Sequence, residues 1–118
     1  MQNLKPTVVS ALQTATALST LTFYYFYPTD FNNLPCGSYF ELDNTGSLYA
    51  DNQEIGSEII FQIDLWGNAS LSAYALAVDT AMTGIDFVRI SALDQYEKDT
   101  HVYHKAMRYK INYSDPTF

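Results

Sequence analysis

The sharpest alternation of apolar and polar positions lies in the second half of the chain. Ile59, Phe61, Ile63 and Leu65 alternate with Ile60, Gln62, Asp64 and Trp66. Period-two spacing of this kind predicts a strand with one well-buried face. Gly67 ends it, and Asn68 or Ser70 is the expected N-cap of the next element. There Leu71, Ala75, Val78 and Met82 fall at intervals of four, three and four, the best-defined amphipathic helix in the chain. Gly84 is expected to close that helix in the left-handed conformation. Phe87–Leu93 predicts another strand, Asp94–Asp99 a charged turn, and Val102–Tyr113 a long last strand. Tyr103, Met107, Tyr109, Ile111 and Tyr113 share one face of that strand, interrupted by Lys105, and a short tail follows from Ser114.

The first half is less regular. Residues 5–20 predict a helix: Pro6 suits its first turn, and Val8, Leu12, Ala15 and Leu18 give a modest apolar stripe. Its many Thr and Ser residues lower helix propensity and place its end near Ser19. The run TFYYFY at 22–27 is β-branched or aromatic throughout, which favours a strand, and Pro28-Thr29-Asp30 breaks it. Residues 31–37 then form a loop punctuated by Pro35 and Gly37. A second strand is expected over 38–43, a turn at Asn44-Thr45-Gly46, and an exposed loop or hairpin tip over Ala50–Ser57. The sum is a single domain over 1–118 of the α+β class: a mostly antiparallel β-sheet with two α-helices packed on one side.

Composition narrows the function classes. Of the 118 residues 47% are apolar, enough for a real core, and tyrosine supplies 10 of the 18 aromatic side chains. Tyrosine, with an apolar body and a polar tip, suits half-buried strands and protein interfaces. The net charge of −7 is split unevenly: residues 1–88 hold nine acids and one base, Lys5, whereas residues 89–118 hold five bases and four acids. A duplex-binding protein carries a basic stripe, so specific nucleic-acid binding is not expected, and an acidic surface instead keeps nucleic acid from sticking. Cys36 is the only cysteine, so no intrachain disulfide is expected. With no signal-like N-terminus and no apolar run near the roughly 20 residues of a spanning helix, a soluble protein made in a cytoplasm, with no membrane partner, is the expectation.

Catalytic groups do not assemble from the pattern. His101 and His104 are three apart on a predicted strand, so they point to opposite faces and share no metal; His104, beside Lys105, is expected at a surface or interface. Alternation places Asp64 on the face opposite Ile63, toward solvent or a neighbouring subunit, with no second acid to make a catalytic pair. Cys36, between Pro35 and Gly37, reads as an ordinary loop cysteine. The glycines at 37, 46, 56, 67 and 84 form no phosphate or dinucleotide loop. No enzyme, cofactor or metal site is expected.

The segment Phe61-Gln62-Ile63-Asp64-Leu65-Trp66, the pair Ala81-Met82 and the run Tyr103-His104-Lys105-Ala106-Met107-Arg108-Tyr109 together resemble the small tail-completion, or head–tail joining (tail terminator), proteins of long-tailed bacteriophages and prophages. The resemblance covers about residues 58–112; the N-terminal half matches only in layout. It implies a non-catalytic structural virion protein of the tail or neck, assembled in the host cytoplasm. Such proteins form a homo-oligomeric ring, commonly a hexamer, at the top of the tail tube. The ring ends tail growth and joins the tail-tube protein to the head–tail connector or stopper, with DNA passing through. Within that frame Glu41, Asp43, Asp51, Glu54 and Glu58 are candidate channel-facing acids, and Tyr96, His104, Lys105, Arg108 and Lys110 candidate subunit or partner contacts. The alternatives are another neck or tail ring component, such as a connector stopper or tail-tube subunit, and a small acidic cellular protein-binding module.

Overall fold

β-branched and aromatic residues carry most of the chain into strands, and the computed structural model describes residues 2–29, 31–50, 53–98 and 100–114. Five strands, β1 (Phe23–Tyr25), β2 (Cys36–Ala50), β3 (Gln53–Gly67), β4 (Val88–Glu97) and β5 (Val102–Ser114), form one sheet in the order β1-β2-β3-β5-β4. Every neighbouring pair is antiparallel except β1 with β2. Two helices, α1 (Lys5–Thr14) and α2 (Ser72–Thr83), cover one face, so the fold is α+β with both helices on one side of a mostly antiparallel sheet.

The alternation of β3 decides which face that is. Ile59, Phe61, Ile63 and Leu65 are fully buried and pack with Met107 and Tyr109 of β5 beneath Val8 and Leu12 of α1 and Ala75, Val78 and Met82 of α2. Removing each large apolar side chain from water is worth about 1.5–3 kcal/mol, so this layer is the main source of stability. On β5 the predicted face of Tyr103, Met107, Tyr109 and Ile111 turns toward the helices. Its odd member, Lys105, is kept there by an ion pair with Asp94 of β4, 3.1 Å away.

Pairing overrides the local signals in several places. Asn44-Thr45-Gly46 is not a turn but strand, opposite Ile59, Glu58 and Ser57, because β3 continues its ladder past it. The surplus residues are absorbed as irregularities at Leu42 and between Gly46 and Tyr49. The same ladder turns Gln53–Ser57, expected in a loop, into the start of β3. Asp94–Glu97 likewise belongs to β4, paired with Lys105–Val102, so the turn follows at Lys98. The predicted strand over 22–27 stops at Tyr25, since Phe26 adopts a left-handed φ of 73°. Cys36 is no loop cysteine; it is buried at the start of β2 against Trp66 and Val102.

Both helices differ at their ends from expectation. α1 ends at Thr14, where Ala15 turns extended, and only a 3₁₀ turn, Thr16–Leu18, carries the stripe on to the buried Leu18. α2 is capped later than expected, one residue after Ser70 and three after Asn68: Leu71 is its N-cap, without a side-chain cap, and the Ser70 hydroxyl accepts weakly from the Ser72 N–H at 3.4 Å. Gly84 stays right-handed at φ −64°, and Asp86 takes the left-handed position at 71°. The Phe87 N–H then bonds the Met82 carbonyl and the Asp86 N–H that of Thr83, a Schellman closure shifted two residues along.

The β2–β3 hairpin, with two fifteen-residue strands, sets the overall shape. The molecule measures 53 × 28 × 22 Å with a radius of gyration of 15.5 Å. A compact domain of this length would have about 13.5 Å. The candidate acid Asp51, the side chain of Glu54 and the tail beyond Ser114 lie outside the described residues.

Candidate functional site

Strand alternation leaves the second sheet face, away from the helices, to Phe40 and Asp43 of β2, Glu58, Ile60, Gln62, Asp64 and Trp66 of β3, and the even-numbered residues of β5. Its centre is a polar chain. The carboxylate of Asp64, only 3% exposed, accepts from His104 Nε2 at 2.7 Å and from Gln62 Nε2 at 2.9 Å. Arg108 Nε donates in turn to Gln62 Oε1 at 3.1 Å. The imidazole of His104 lies flat on Trp66, ring centroids 3.7 Å apart and planes 6° from parallel, and Trp66 Nε1 donates to the Ser38 hydroxyl at 3.2 Å. Tyr27 and Phe31 set their edges against the same indole, each at 5.3 Å, so the loop after β1 roofs this end of the face.

The expectation that Asp64 and His104 meet solvent or a neighbouring subunit is therefore corrected: each is the other's partner. Asp64 stands opposite Ala106 in the β3–β5 register, one diagonal step from His104, which brings together residues forty apart in sequence. Chemically the arrangement is a cross-strand clamp that fixes β3 to β5 and holds the indole in place. His101 lies apart in the turn before β5, its Nδ1 2.9 Å from the Tyr96 hydroxyl. Among the described residues no group of three or more His, Cys, Asp or Glu side chains could hold a metal ion, and no helix is long and apolar enough to cross a membrane.

The other candidate residues separate by face. Glu41 lies on the helix side and accepts from Asn44 Nδ2 at 2.8 Å; Asp43 and Glu58 lie on the open side, Asp43 accepting from the Thr45 hydroxyl at 3.0 Å. Arg108 and Lys110 also belong to the open face, whereas Tyr96 and Lys105 sit on the helix side. There, with Ser70, Ser72, Asp94 and Tyr103, they line an open groove of about 400 Å³ at the start of α2. Lys105 is neutralised by Asp94 and is not free for an acidic partner. By contrast, Glu41, Asp43, Glu58, Arg108 and Lys110 form no ion pair among the described residues.

Both outer edges of the sheet are open. β1 covers β2 only from Gly37 to Tyr39, and no described strand pairs with β2 beyond that point. At the other margin nothing described pairs with the outside of β4, whose side chains are exposed along almost its whole length. Val88, Ile90, Leu93 and Tyr96 are its apolar members, Val88 at 65% and Leu93 at 56% exposure. β4 has neither Pro nor Lys, the residues that most often blunt a free edge. The apolar, β-branched composition of 88–93 was the available sequence signal for this surface; what hid it was that edge and interior strands share that composition.

No protein-family model matches the chain, and no curated protein matches it.

Proposed function

We propose that the chain is a structural ring subunit of a long-tailed phage, placed at the top of the tail tube, where it ends tail growth and joins the tail to the head connector. The observation that carries this is the pair of open edges on one sheet, β2 beyond Tyr39 and β4 along its length. A ring requires two different surfaces on each subunit that meet head to tail and close by rotation, and two unlike strand edges supply them. The tail-completion resemblance over 58–112 supports the location. The charge pattern supports the conduit: the hairpin is acidic on both faces, with Glu41 on one and Asp43 and Glu58 on the other. Turned to the channel, these acids would repel phosphate and let DNA pass without sticking.

Light scattering and negative-stain imaging of the purified chain, alone and with phage tails, test this. The expected result is a ring of about six subunits, in solution or seated on tail ends. A chain that stays monomeric at every concentration and leaves tails uncapped refutes it.

A further inference from the structure

We infer that β4 pairs antiparallel with the β4 of a second copy, about a two-fold axis through Leu93, joining the two five-stranded sheets into one. The pairing stands apart from the ring assignment; only its consequence rests on that reading. The paired form occupies one of the two edges a ring would use, so it is a reserve that must part before a ring closes. The free edge of β4 shows Ile90, Leu93 and Tyr96 at 48%, 56% and 44% exposure. Arg89 and Ala92, on its helix side, are exposed as well, so α2 does not roof the strand. An axis perpendicular to the sheet therefore keeps both α2 helices on the same side, with the two exposed strands between them. The opposite edge, where β1 lies, is not involved.

The strand selects its own register. Val88, Arg89 and Ser91–Glu97 pair with β5 while Ile90 is passed over, so four ladder residues lie on each side of Leu93. Centred there, the strand overlaps its copy along its whole length. Moving the centre one place either way shortens the overlap, and a centre at Asp94 would set two carboxylates against each other. β5 already fixes which side each residue faces, and a neighbour on the outer edge must also pass over Ile90 to keep those sides. On the helix side Ala92 then opposes the copy's Asp94, and Arg89 the copy's Tyr96. Leu93 meets itself, and with Ala106 beside it in each β5 it makes a continuous apolar row across the axis.

Charge complementarity fits a second copy of this chain. Arg89 faces the copy's Tyr96, whose ring offers a cation a favourable surface, and lies one diagonal step from the copy's Asp94. The Asp94 side chain is 81% exposed even while it holds Lys105, so a second cation can approach it. The two Asp94 side chains are diagonal neighbours of each other, each offset by its own Lys105 and by the copy's Arg89. Past the ends of the ladder, Lys98 comes beside the copy's Asp86. Both are exposed, and neither forms an ion pair among the described residues. The axis repeats every one of these contacts, so each counts twice.

Cysteine trapping and charges placed on the axis test this. In the full chain, Leu93→Cys alone should oxidise to a covalent dimer and nothing larger. A residue on the axis opposes only itself, at about 5 Å between Cα atoms, within disulfide reach. Val88→Cys is the control: its counterpart stands eight ladder places away, roughly 26 Å, and should give no dimer. Cys36 is buried and stays in both. Independently, Leu93→Lys or Leu93→Glu sets like charges against each other and should weaken self-association about tenfold or more; an equal mixture of the two should regain it as mixed dimers. Leu93 is exposed, so both variants should stay folded, which circular dichroism checks. Cross-linking no faster than in Val88→Cys, or no recovery on mixing, overturns the pairing. Rings on tails from a chain that never dimerises overturn it and leave the ring assignment standing; a two-fold dimer that leaves tails uncapped does the reverse.

Discussion

Asp64 is a buried carboxylate whose two hydrogen-bond donors, His104 and Gln62, reach it from the same sheet face. A buried hydrogen-bonded polar pair adds little net stability against a hydrophobic substitute, because desolvation offsets the attraction. Removing one partner is costly, since the other stays buried and unsatisfied. Asp64→Ala is therefore expected to destabilise the fold by about 3 kcal/mol, lowering Tm by about 10 °C or more. Arg108→Ala, at the exposed end of the same chain of bonds, should cost less than about 0.5 kcal/mol. Thermal unfolding of the two variants checks this; equal losses would show that the clamp is not centred on Asp64. Tyr109 makes a second residue-scale case. Its phenol is fully buried under α2 and donates to Asp79 Oδ1 at 2.9 Å, and Asp79 also pairs with Arg89 at 3.2 Å. Burial first, then the bond to and the charge of Asp79, push its pKa well above the ordinary 10.0, with Arg89 opposing weakly. The unfolded chain loses that proton near pH 10 and the native chain keeps it. The Tyr109 contribution is thus complete below pH 10 and drains away above it, by up to about 1.4 kcal/mol per pH unit. Denaturant melts between pH 9 and 11 should show this extra slope in the wild type and lose it in Tyr109→Phe.

At the scale of elements, what the chain reveals depends on how local the determining force is. The stripe Leu71, Ala75, Val78, Met82 is written within one helix, and all four side chains are buried as its spacing requires. The helix-facing side of β5 is equally legible, including the interruption at Lys105, because strand alternation is local too. Boundaries were harder. Asn44-Thr45-Gly46 has the composition of a turn, but the free energy of continuing a ladder against β3 exceeds a preference worth a fraction of a kcal/mol per residue. Gly84 lost the left-handed position to Asp86 because the N–H groups of Ile85, Asp86 and Phe87 are satisfied by the Met82 and Thr83 carbonyls. The Asp64–His104 clamp depended on a register between strands forty residues apart, which no local period encodes. A partial signal was present: Gln62-Asp64-Trp66 and His104-Ala106-Arg108 are both period-two polar sets, and antiparallel pairing places two such sets on one face.

At the scale of the whole molecule two electrostatic effects compete. In the proposed ring, opposite charges at the two sheet edges would draw neighbours together, while every copy carries a net −7 that pushes them apart. Range decides between them. Exposed pairs at an interface contribute roughly 0.2–1 kcal/mol each and act over a few ångströms. The net charges act over the spacing between copies, which the molecule's 28 Å width sets. Two charges of −7 that far apart in water repel by about 3 kcal/mol at 0.01 M salt, where the Debye length is about 30 Å, but by only about 0.4 kcal/mol at 0.1 M, where it is about 10 Å. Moderate salt therefore removes most of the repulsion and leaves contact-range pairs largely intact. Association of the chain is expected to tighten roughly fiftyfold per contact between 0.01 and 0.1 M, then to weaken slowly toward 1 M as the edge pairs are screened in turn. Sedimentation equilibrium across that series measures it. A monotonic loss of association from the lowest salt upward would mean that edge attraction outweighs net repulsion even at long range. Association that ignores salt would mean that apolar contacts hold the copies together and the edge charges do not.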